Sequence, residues 1–269
     1  MFANLNVVEM EDKILSMIYP EDFKKLDKNK PSQLYQLGPI ISKYKLSNNI
    51  FNKMNKIVED VLKSDDKKRF GHHLAGQIDS EYLIPNEILE KENVLEYFRN
   101  VLKCYIRDYF LKQYAENATT KALQSTIDIK TMWIVEQFKH EYNPVHWHEN
   151  GTISAVMYLK VPEMTNEGSI PGKKNTAGNI TFINRSSSGQ SLESPLLTVK
   201  PEEKDLFIYP ASLAHTVYPF DNDVRRLSVS FNSDHNFAGK ILDPSNIQNI
   251  DPDALLDIVK KIKESDNKE

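Results

Sequence analysis

Short strand-like runs separated by turn residues fill the second half of the sequence and limit the folds open to the chain. The runs are rich in Val, Ile, Thr, Tyr and Phe, and clusters of Gly, Pro, Asn, Asp and Ser separate them without an intervening helical pattern. Because strands joined by short loops pair in an antiparallel manner, this succession predicts a β-sandwich or a β-barrel. The runs cover residues 127–138, 152–161, 178–184, 196–201, 205–210, 214–219 and 225–232.

Helical spacing dominates the sequence before residue 120. Apolar residues recur every three or four positions over 50–62 and again over 93–114, which predicts two amphipathic helices. Near the end of the chain, the run DPDALLDIVKKIKES predicts a closing helix. We therefore expect one domain, in which N-terminal helices pack against one sheet of a β-sandwich.

Composition argues against several classes of function. The 269 residues carry a formal net charge of −4, so no basic excess indicates nucleic-acid binding. Cys104 is the only cysteine and cannot form an internal disulfide, which favours a reducing compartment. The N-terminus has no secretory-signal pattern, and no run approaches the ~18 apolar residues of a membrane span. We expect a soluble, cytoplasmic protein with no membrane partner.

Three histidines at the ends of predicted strands indicate a metal site. His146 and His148 are two residues apart in the run HWHEN, and residues two apart on a strand point to the same side. His215 opens a different predicted strand. Two ligands from one strand and a third from a distant one predict a facial triad, which leaves coordination positions open for a cosubstrate and dioxygen. His72 and His73 are adjacent and would face opposite sides, so we interpret them as structural or surface residues.

The last predicted strand begins with two arginines. Alternation along RRLSVSFN places Arg226 and Ser228 on one face and the apolar residues Leu227 and Val229 on the other. An inward-facing guanidinium requires a partner, and its planar fork of donors suits a carboxylate. We therefore expect Arg226 to point into a cavity that binds a carboxylate, while Arg225 lies on the outer face or the rim.

Together these segments resemble a known enzyme family. The runs HWHENGTISAVMYLKVP, GNITF and VKPEEKDLFIYPASLAHTVYPFDNDVRRLSVSFN are similar to the iron(II)- and 2-oxoglutarate-dependent dioxygenases of the prolyl-hydroxylase-like group. The likeness is greatest to the 2OG-Fe(II) oxygenase branch common in marine bacteria and phages, and it covers about residues 125–235. The resemblance implies Fe(II) as the metal and 2-oxoglutarate as the cosubstrate.

The resemblance also implies a role for each matching residue. His146, His148 and His215 take the positions of the iron ligands and form the catalytic centre. Arg226 and Tyr158 match residues that contact the far carboxylate of 2-oxoglutarate, and two weaker pocket candidates are Ser228 and Thr181.

For the fold, the resemblance implies an α+β protein with a double-stranded β-helix core of the jelly-roll, cupin-like kind. N-terminal helices would pack on one of its sheets, and a short C-terminal helix would follow. Within a single domain of residues 1–269, the expected parts are a mainly helical segment with an early strand region, the jelly-roll catalytic core and the C-terminal helix, at 1–120, 121–235 and 236–269.

For the activity, the resemblance implies hydroxylation of a small-molecule or peptidyl substrate with dioxygen, releasing succinate and CO2. The sequence does not identify that substrate. The polar loop 162–178 is a candidate lid over the site.

His148 departs from the family pattern, because this position usually holds Asp or Glu. A neutral imidazole suits iron but contributes no negative charge. Glu149 is the nearest alternative ligand, and another metal such as zinc is a further alternative. Two other functions also stay open: a three-histidine cupin-type dioxygenase that does not use 2-oxoglutarate, and a non-catalytic jelly-roll binding module.

Overall fold

The computed structural model describes residues 33–36, 39–113, 125–166, 173–184 and 195–237. The chain divides into two compact units, one formed by Pro31–Tyr105 and Thr126–Asn236, the other by Met1–Lys30, Ile106–Ser125 and Phe237–Glu269. Most of the second unit lies outside the described residues, as does the predicted C-terminal helix. The single-domain organisation and its three parts stay predictions.

The described residues form three helices, a 3₁₀ turn and eleven strands. The helices are α1 (Asn48–Lys63), α2 (Asn86–Lys91) and α3 (Val94–Gln113), and the 3₁₀ turn is Gly71–His73. The strands are β1 (Gln33–Gln36), β2 (Ile40–Lys45), β3 (Ser80–Leu83), β4 (Ser125–Gln137), β5 (Asn143–His146), β6 (Ile153–Lys160), β7 (Ile180–Ile183), β8 (Leu196–Val199), β9 (Asp205–Pro210), β10 (Ala214–Val217) and β11 (Arg226–Phe237). Each of the seven strand-like runs overlaps one of these strands. The expected early strand region before residue 120 had no bounds, and the four strands β1, β2, β3 and β5 were not predicted individually.

The strands form two sheets. The larger has seven strands in the order β1-β2-β9-β6-β11-β4-β3, and the smaller has four in the order β5-β10-β7-β8. The pairings whose register is described are antiparallel. Strands that are neighbours in a sheet are often distant in sequence. For example, β6 lies between β9 and β11. This arrangement confirms the predicted jelly-roll core.

A hydrophobic core lies between the two sheets. One cluster joins Tyr158 of β6 and Phe207 of β9, from the larger sheet, to Ile180 and Phe182 of β7 and Val217 of β10, from the smaller. Every second residue of these strands faces this layer, because side chains alternate along a strand. The same layer holds the site described below.

Helices cover the outer face of the larger sheet. The ring of Phe98 in α3 lies 5.3 Å from that of Phe231 in β11, a residue on the face opposite the inter-sheet core. The Tyr105 hydroxyl donates to the Ile40 carbonyl of β2 over 3.0 Å. Ser47 accepts a hydrogen bond from the backbone of Ile50 and begins α1. The prediction that helices pack on one sheet is therefore confirmed. No described helix combines the length and the apolar character that crossing a membrane requires.

Candidate metal centre

Three histidines converge at one end of the inter-sheet layer. His146 ends β5 and lies opposite His215 of β10 in the strand register. His148 follows β5, and its backbone N–H donates to the Ala211 carbonyl over 2.9 Å, which fixes the chain where it leaves the strand. One ring nitrogen from each histidine lies within 4.8 Å of the other two. Nitrogen atoms this close can share one metal ion.

The local structure around His148 differs from the expected one. We expected His146 and His148 to share a strand, but β5 ends at His146 and the chain bends through the next residues. His148 lies beyond the end of β5, where its backbone N–H donates to Ala211, and its ring still joins the histidine group. Glu149, the alternative ligand, is exposed and does not belong to the histidine group.

Backbone carbonyls orient two of the three imidazoles. His146 Nδ1 lies 2.8 Å from the Pro144 carbonyl, and His215 Nδ1 lies 2.9 Å from the Leu213 carbonyl. A carbonyl only accepts, so each Nδ1 carries the proton and Nε2 keeps a lone pair. Histidine ligands in metal sites are held in this way.

Burial keeps the three rings neutral. It lowers the pKa of His146, and it lowers the pKa of His148 to about 4, with a further contribution from His146. Burial also holds the pKa of His215 well below its usual range. Metal ligation requires neutral imidazole, so all three groups are in the required protonation state at neutral pH.

Arg226 lies in the same cavity and lacks an acidic partner. The residue is 1% exposed, and its guanidinium donates to Gln137 Oε1 over 3.0 Å. The guanidinium lies 5.0 Å from the centre of the Tyr158 ring, while its Nε has no hydrogen-bond partner among the described residues. None of the ion pairs between described residues includes Arg226. Burial lowers its pKa, because removal from water disfavours the charged form.

Tyr158 and Ser228 lie beside this arginine. They are opposite each other in the β6–β11 register, and both line the cavity. The Tyr158 hydroxyl has no hydrogen-bond partner among the described residues, and burial raises its pKa to about 12. A buried cation without an acidic partner and a buried hydroxyl beside it form a place where a carboxylate would bind both.

Thr181 does not line the cavity. Its neighbour Ile180 points inwards, so alternation turns Thr181 to the opposite face. There its hydroxyl lies 2.7 Å from that of Thr198 on β8. The pocket role implied for Thr181 by the resemblance is therefore not supported by its position.

The cavity that contains these groups has a volume of about 210 Å³. Glu81, Trp133 and Tyr209 are among the lining residues that the sequence reasoning missed. The Tyr209 hydroxyl lies 3.3 Å from His215 Nε2. Alternation along the run DLFIYP does place Tyr209 on the same face as Phe207, but nothing in the run indicates a neighbouring metal site.

The candidate lid lies partly outside the described residues, which omit 167–172. Met164 and Ala177, near its two ends, pack with Phe220 in a small buried cluster. None of the described loop residues lines the cavity. The lid role stays a prediction.

Comparison with solved structures finds many similar chains. The epimerase SnoN from nogalamycin biosynthesis, described as non-heme and alpha-ketoglutarate dependent, is 14% identical, with 72% of this chain and 76% of that chain covered and a TM-score of 0.47. A Pseudomonas putida prolyl-4-hydroxylase is 14% identical, with 71% and 91% covered and a TM-score of 0.41. The viral collagen prolyl hydroxylase of Paramecium Bursaria Chlorella virus-1 is 13% identical, with 72% and 94% covered and a TM-score of 0.38. At these TM-scores the likeness carries no conclusion about activity.

The sequence comparison is more specific. No curated protein matches the chain. Residues 131–232 match the family described as "Putative 2OG-Fe(II) oxygenase", and this segment contains the three histidines, Tyr158 and Arg226. The match confirms the resemblance that the motifs indicated. Residues 131–232 are therefore similar to the family of iron(II)- and 2-oxoglutarate-dependent oxygenases.

Proposed function

We propose that this protein is an Fe(II)- and 2-oxoglutarate-dependent oxygenase that hydroxylates an organic substrate and releases succinate and CO2. One observation supports this above the others: the buried guanidinium of Arg226, which has no acidic partner among the described residues, lines the same cavity as three convergent, neutral histidines. The first feature fits an anionic cosubstrate, and the second fits a divalent metal.

The histidine group fits iron. His146, His148 and His215 would hold it, the first and third through Nε2, because their Nδ1 atoms are engaged with carbonyls. Imidazole is a common ligand of iron in oxygenases, and three protein ligands leave positions open. When bound, the iron would couple oxidative decarboxylation of 2-oxoglutarate to oxidation of the substrate by dioxygen.

Replacement of the usual carboxylate by His148 makes the protein's ligand set neutral. The protein then offsets none of the metal's charge, so the attraction between the site and a dianionic cosubstrate is stronger than in a carboxylate-containing site. We expect 2-oxoglutarate and metal to bind with strong positive coupling.

The far carboxylate of 2-oxoglutarate would bind at Arg226. Arg226 Nε and the Tyr158 hydroxyl are donors without partners, and Ser228 adds a hydroxyl on the neighbouring strand. These groups sit on two central strands of the larger sheet, so their positions are fixed before any ligand arrives.

Apolar side chains would exclude water from the remaining space. Val156, Ile180 and Val217 line the cavity, and they come from both sheets. A dry, enclosed site strengthens the interactions of the cosubstrate with Arg226 and limits unproductive reactions.

Neither rival function accounts for both the histidine group and the cavity-facing Arg226. A three-histidine dioxygenase that oxidises its substrate directly would need the metal group but would leave Arg226 without an anion. A non-catalytic binding module would need neither. Succinate formed in equal amount to the oxidised product supports the proposal, whereas oxidised product formed without succinate would support the first rival.

Anaerobic titration tests the metal and cosubstrate sites directly. Addition of Fe(II) and 2-oxoglutarate to the wild type should produce a visible charge-transfer band. We expect His148→Ala to lose the band and His148→Asp to retain it, because Asp restores a ligand in the same place. His72→Ala is the matched control, since His72 is exposed and does not line the cavity. An unchanged band in His148→Ala would remove His148 from the ligand set.

A further inference from the structure

Glu81 is a buried carboxyl group in the metal-site cavity, with no role in the metal or cosubstrate sites. It lies on β3, is 2% exposed, and lines the same cavity as the three histidines. Its Oε2 has no hydrogen-bond partner among the described residues, and none of their basic side chains forms an ion pair with it. A buried, unpartnered carboxyl group that faces a cavity is costly unless a ligand pairs with it.

Backbone hydrogen bonds hold the chain segments around Glu81, and these segments lie close to its carboxyl group. The Phe70 N–H donates to the Glu81 backbone carbonyl over 2.9 Å, and the Gln77 N–H donates to the Tyr142 carbonyl over 2.9 Å. A methyl group added at Gly76 would lie 3.0 Å from Glu81 Oε1 and 2.7 Å from Asn143 Oδ1. The covering loop therefore shapes the space around the carboxyl group, yet it supplies no donor to Oε2.

The local electrostatic field favours a cation. Glu141 lies near Glu81, and its carboxylate is held by the backbone N–H groups of Asp79 and Phe138 over 2.9 and 2.7 Å. Burial and then the charge of Glu141 raise the pKa of Glu81 to about 7. A positive group placed beside Glu81 would relieve both effects.

Two indole rings line the same cavity as Glu81. Trp133 lies on β4, the strand next to β3, and its ring centre is 5.9 Å from that of His148. Trp147 also lines the cavity and is 45% exposed. Indole faces attract cations, and a carboxylate with aromatic neighbours is a common environment for an alkylammonium group.

Glu81 is separate from the proposed 2-oxoglutarate site. β3 and β11 flank β4 on its two sides, so Glu81 and Arg226 are two strand spacings apart, or ~9.5 Å across the sheet. The cavity thus has a cation at one position for an anionic cosubstrate and a carboxyl group at another.

We propose that Glu81, together with Trp133 and Trp147, binds a protonated alkylamine of the substrate and holds it beside the metal centre. The amine belongs either to a small molecule or to a lysine side chain of a polypeptide, since both present the same alkylammonium group. This inference rests on the proposed oxygenase function and assigns a substrate class to the same site.

Indole fluorescence gives a test that does not depend on activity. The protein has two tryptophans, Trp133 and Trp147, and both line the cavity. Titrations at pH 8 would use n-butylammonium, the neutral isostere n-butanol, and an N-acetylated, C-amidated Gly-Lys-Gly peptide. We expect at least one amine to bind the wild type about tenfold or more tightly than the alcohol. Tighter binding of the peptide would indicate a polypeptide substrate, and tighter binding of the free amine a small molecule.

Variants show whether Glu81 causes the preference. Glu81→Gln should reduce amine affinity to that of the alcohol, and Glu81→Asp should retain part of the preference. Glu163→Gln removes the same charge from an exposed residue that does not line the cavity, and it should leave affinity unchanged. An equal affinity for amines and alcohol in the wild type, or an unchanged preference in Glu81→Gln, would overturn the proposal.

The two proposals fail in different ways. Glu81-dependent amine binding without the charge-transfer band would overturn the oxygenase function and leave the ammonium site standing. A normal band without Glu81-dependent amine binding would overturn the ammonium site alone.

Discussion

Arg225 and Arg226 are adjacent in sequence, but their guanidinium groups lie in opposite electrostatic environments. Arg225 donates to Glu136 over 2.6 Å and to Glu59 of α1 over 2.8 Å, on the side of the sheet covered by helices. Arg226 turns to the other side and has no carboxylate partner among the described residues. Side chains alternate along the strand, so neighbouring residues face opposite sides of the sheet. Arg225 therefore links β11 to β4 and α1, whereas Arg226 is available to a ligand in the cavity.

Substitution of Arg226 should separate cosubstrate binding from stability. Arg226→Met removes the donors for the far carboxylate, and hydrogen bonds to charged groups contribute ~1.5–3 kcal/mol each. We expect 2-oxoglutarate affinity to fall ~100-fold, measured by anaerobic titration, while metal binding persists. The ligand-free variant should differ little in stability from the wild type in urea, because removal of a buried cation without an acidic partner offsets the loss of the hydrogen bond to Gln137.

Arg225→Met is the matched control for this prediction. It should lower the free energy of unfolding by ~1–2 kcal/mol, since two partly buried carboxylates lose their partner, and should leave 2-oxoglutarate affinity unchanged. Equal effects of the two substitutions on 2-oxoglutarate affinity would contradict the assignment of Arg226.

Tyr158→Phe removes one hydroxyl from the same site. The hydroxyl has no partner among the described residues, so its loss should not destabilise the ligand-free protein. In the complex the hydroxyl would donate to the far carboxylate of 2-oxoglutarate. Because one hydrogen bond contributes a net ~1 kcal/mol, we expect the affinity for 2-oxoglutarate to fall up to ~10-fold. A variant with unchanged affinity, measured by the same titration, would show that Tyr158 contributes only its ring.

Tyr209 contacts the metal-facing nitrogen of a predicted ligand. Its hydroxyl lies 3.3 Å from His215 Nε2, the atom that keeps the lone pair. A metal would have to replace this contact, so Tyr209→Phe should raise metal affinity by up to ~10-fold, the worth of one weak hydrogen bond. Competition with a chromophoric chelator measures this change. A decrease in affinity would instead indicate that the hydroxyl supports the bound metal.

The sequence carried enough information for the β core and for most of the site. Each strand-like run became a strand because alternating apolar residues must face the inter-sheet core. The opposite orientations of Arg225 and Arg226 followed from the same alternation, as did the cavity-facing positions of Tyr158 and Ser228.

Other parts of the site depend on contacts that no local pattern encodes. β5 has four residues, and its place in the smaller sheet comes from pairing with β10, which is distant in sequence. His148 joins the group from beyond the end of β5, where its backbone N–H donates to the Ala211 carbonyl. Thr181 does not line the cavity, whereas its neighbour Ile180 does. The sequence around Glu81 is polar, which predicts an exposed residue. Glu81 is buried because its strand pairs with β4 and a loop covers it, and neither contact is visible in the local sequence.

Glu81 should also make stability depend on pH. Burial and Glu141 raise its pKa from 4.5 to about 7 in the folded protein, so the folded state holds a proton that the unfolded state releases between these values. The contribution of Glu81 to the free energy of unfolding is fully present below pH ~4.5 and is lost as the pH rises through ~7. Glu81→Gln cannot titrate, so its free energy of unfolding relative to the wild type should increase by ~1–2 kcal/mol between pH 5 and pH 8, after allowance for solvent screening. Urea unfolding at both pH values measures the difference, with Glu163→Gln as the control that should follow the wild type. Parallel pH profiles for the wild type and Glu81→Gln would show that the carboxyl group is ionised in the folded protein.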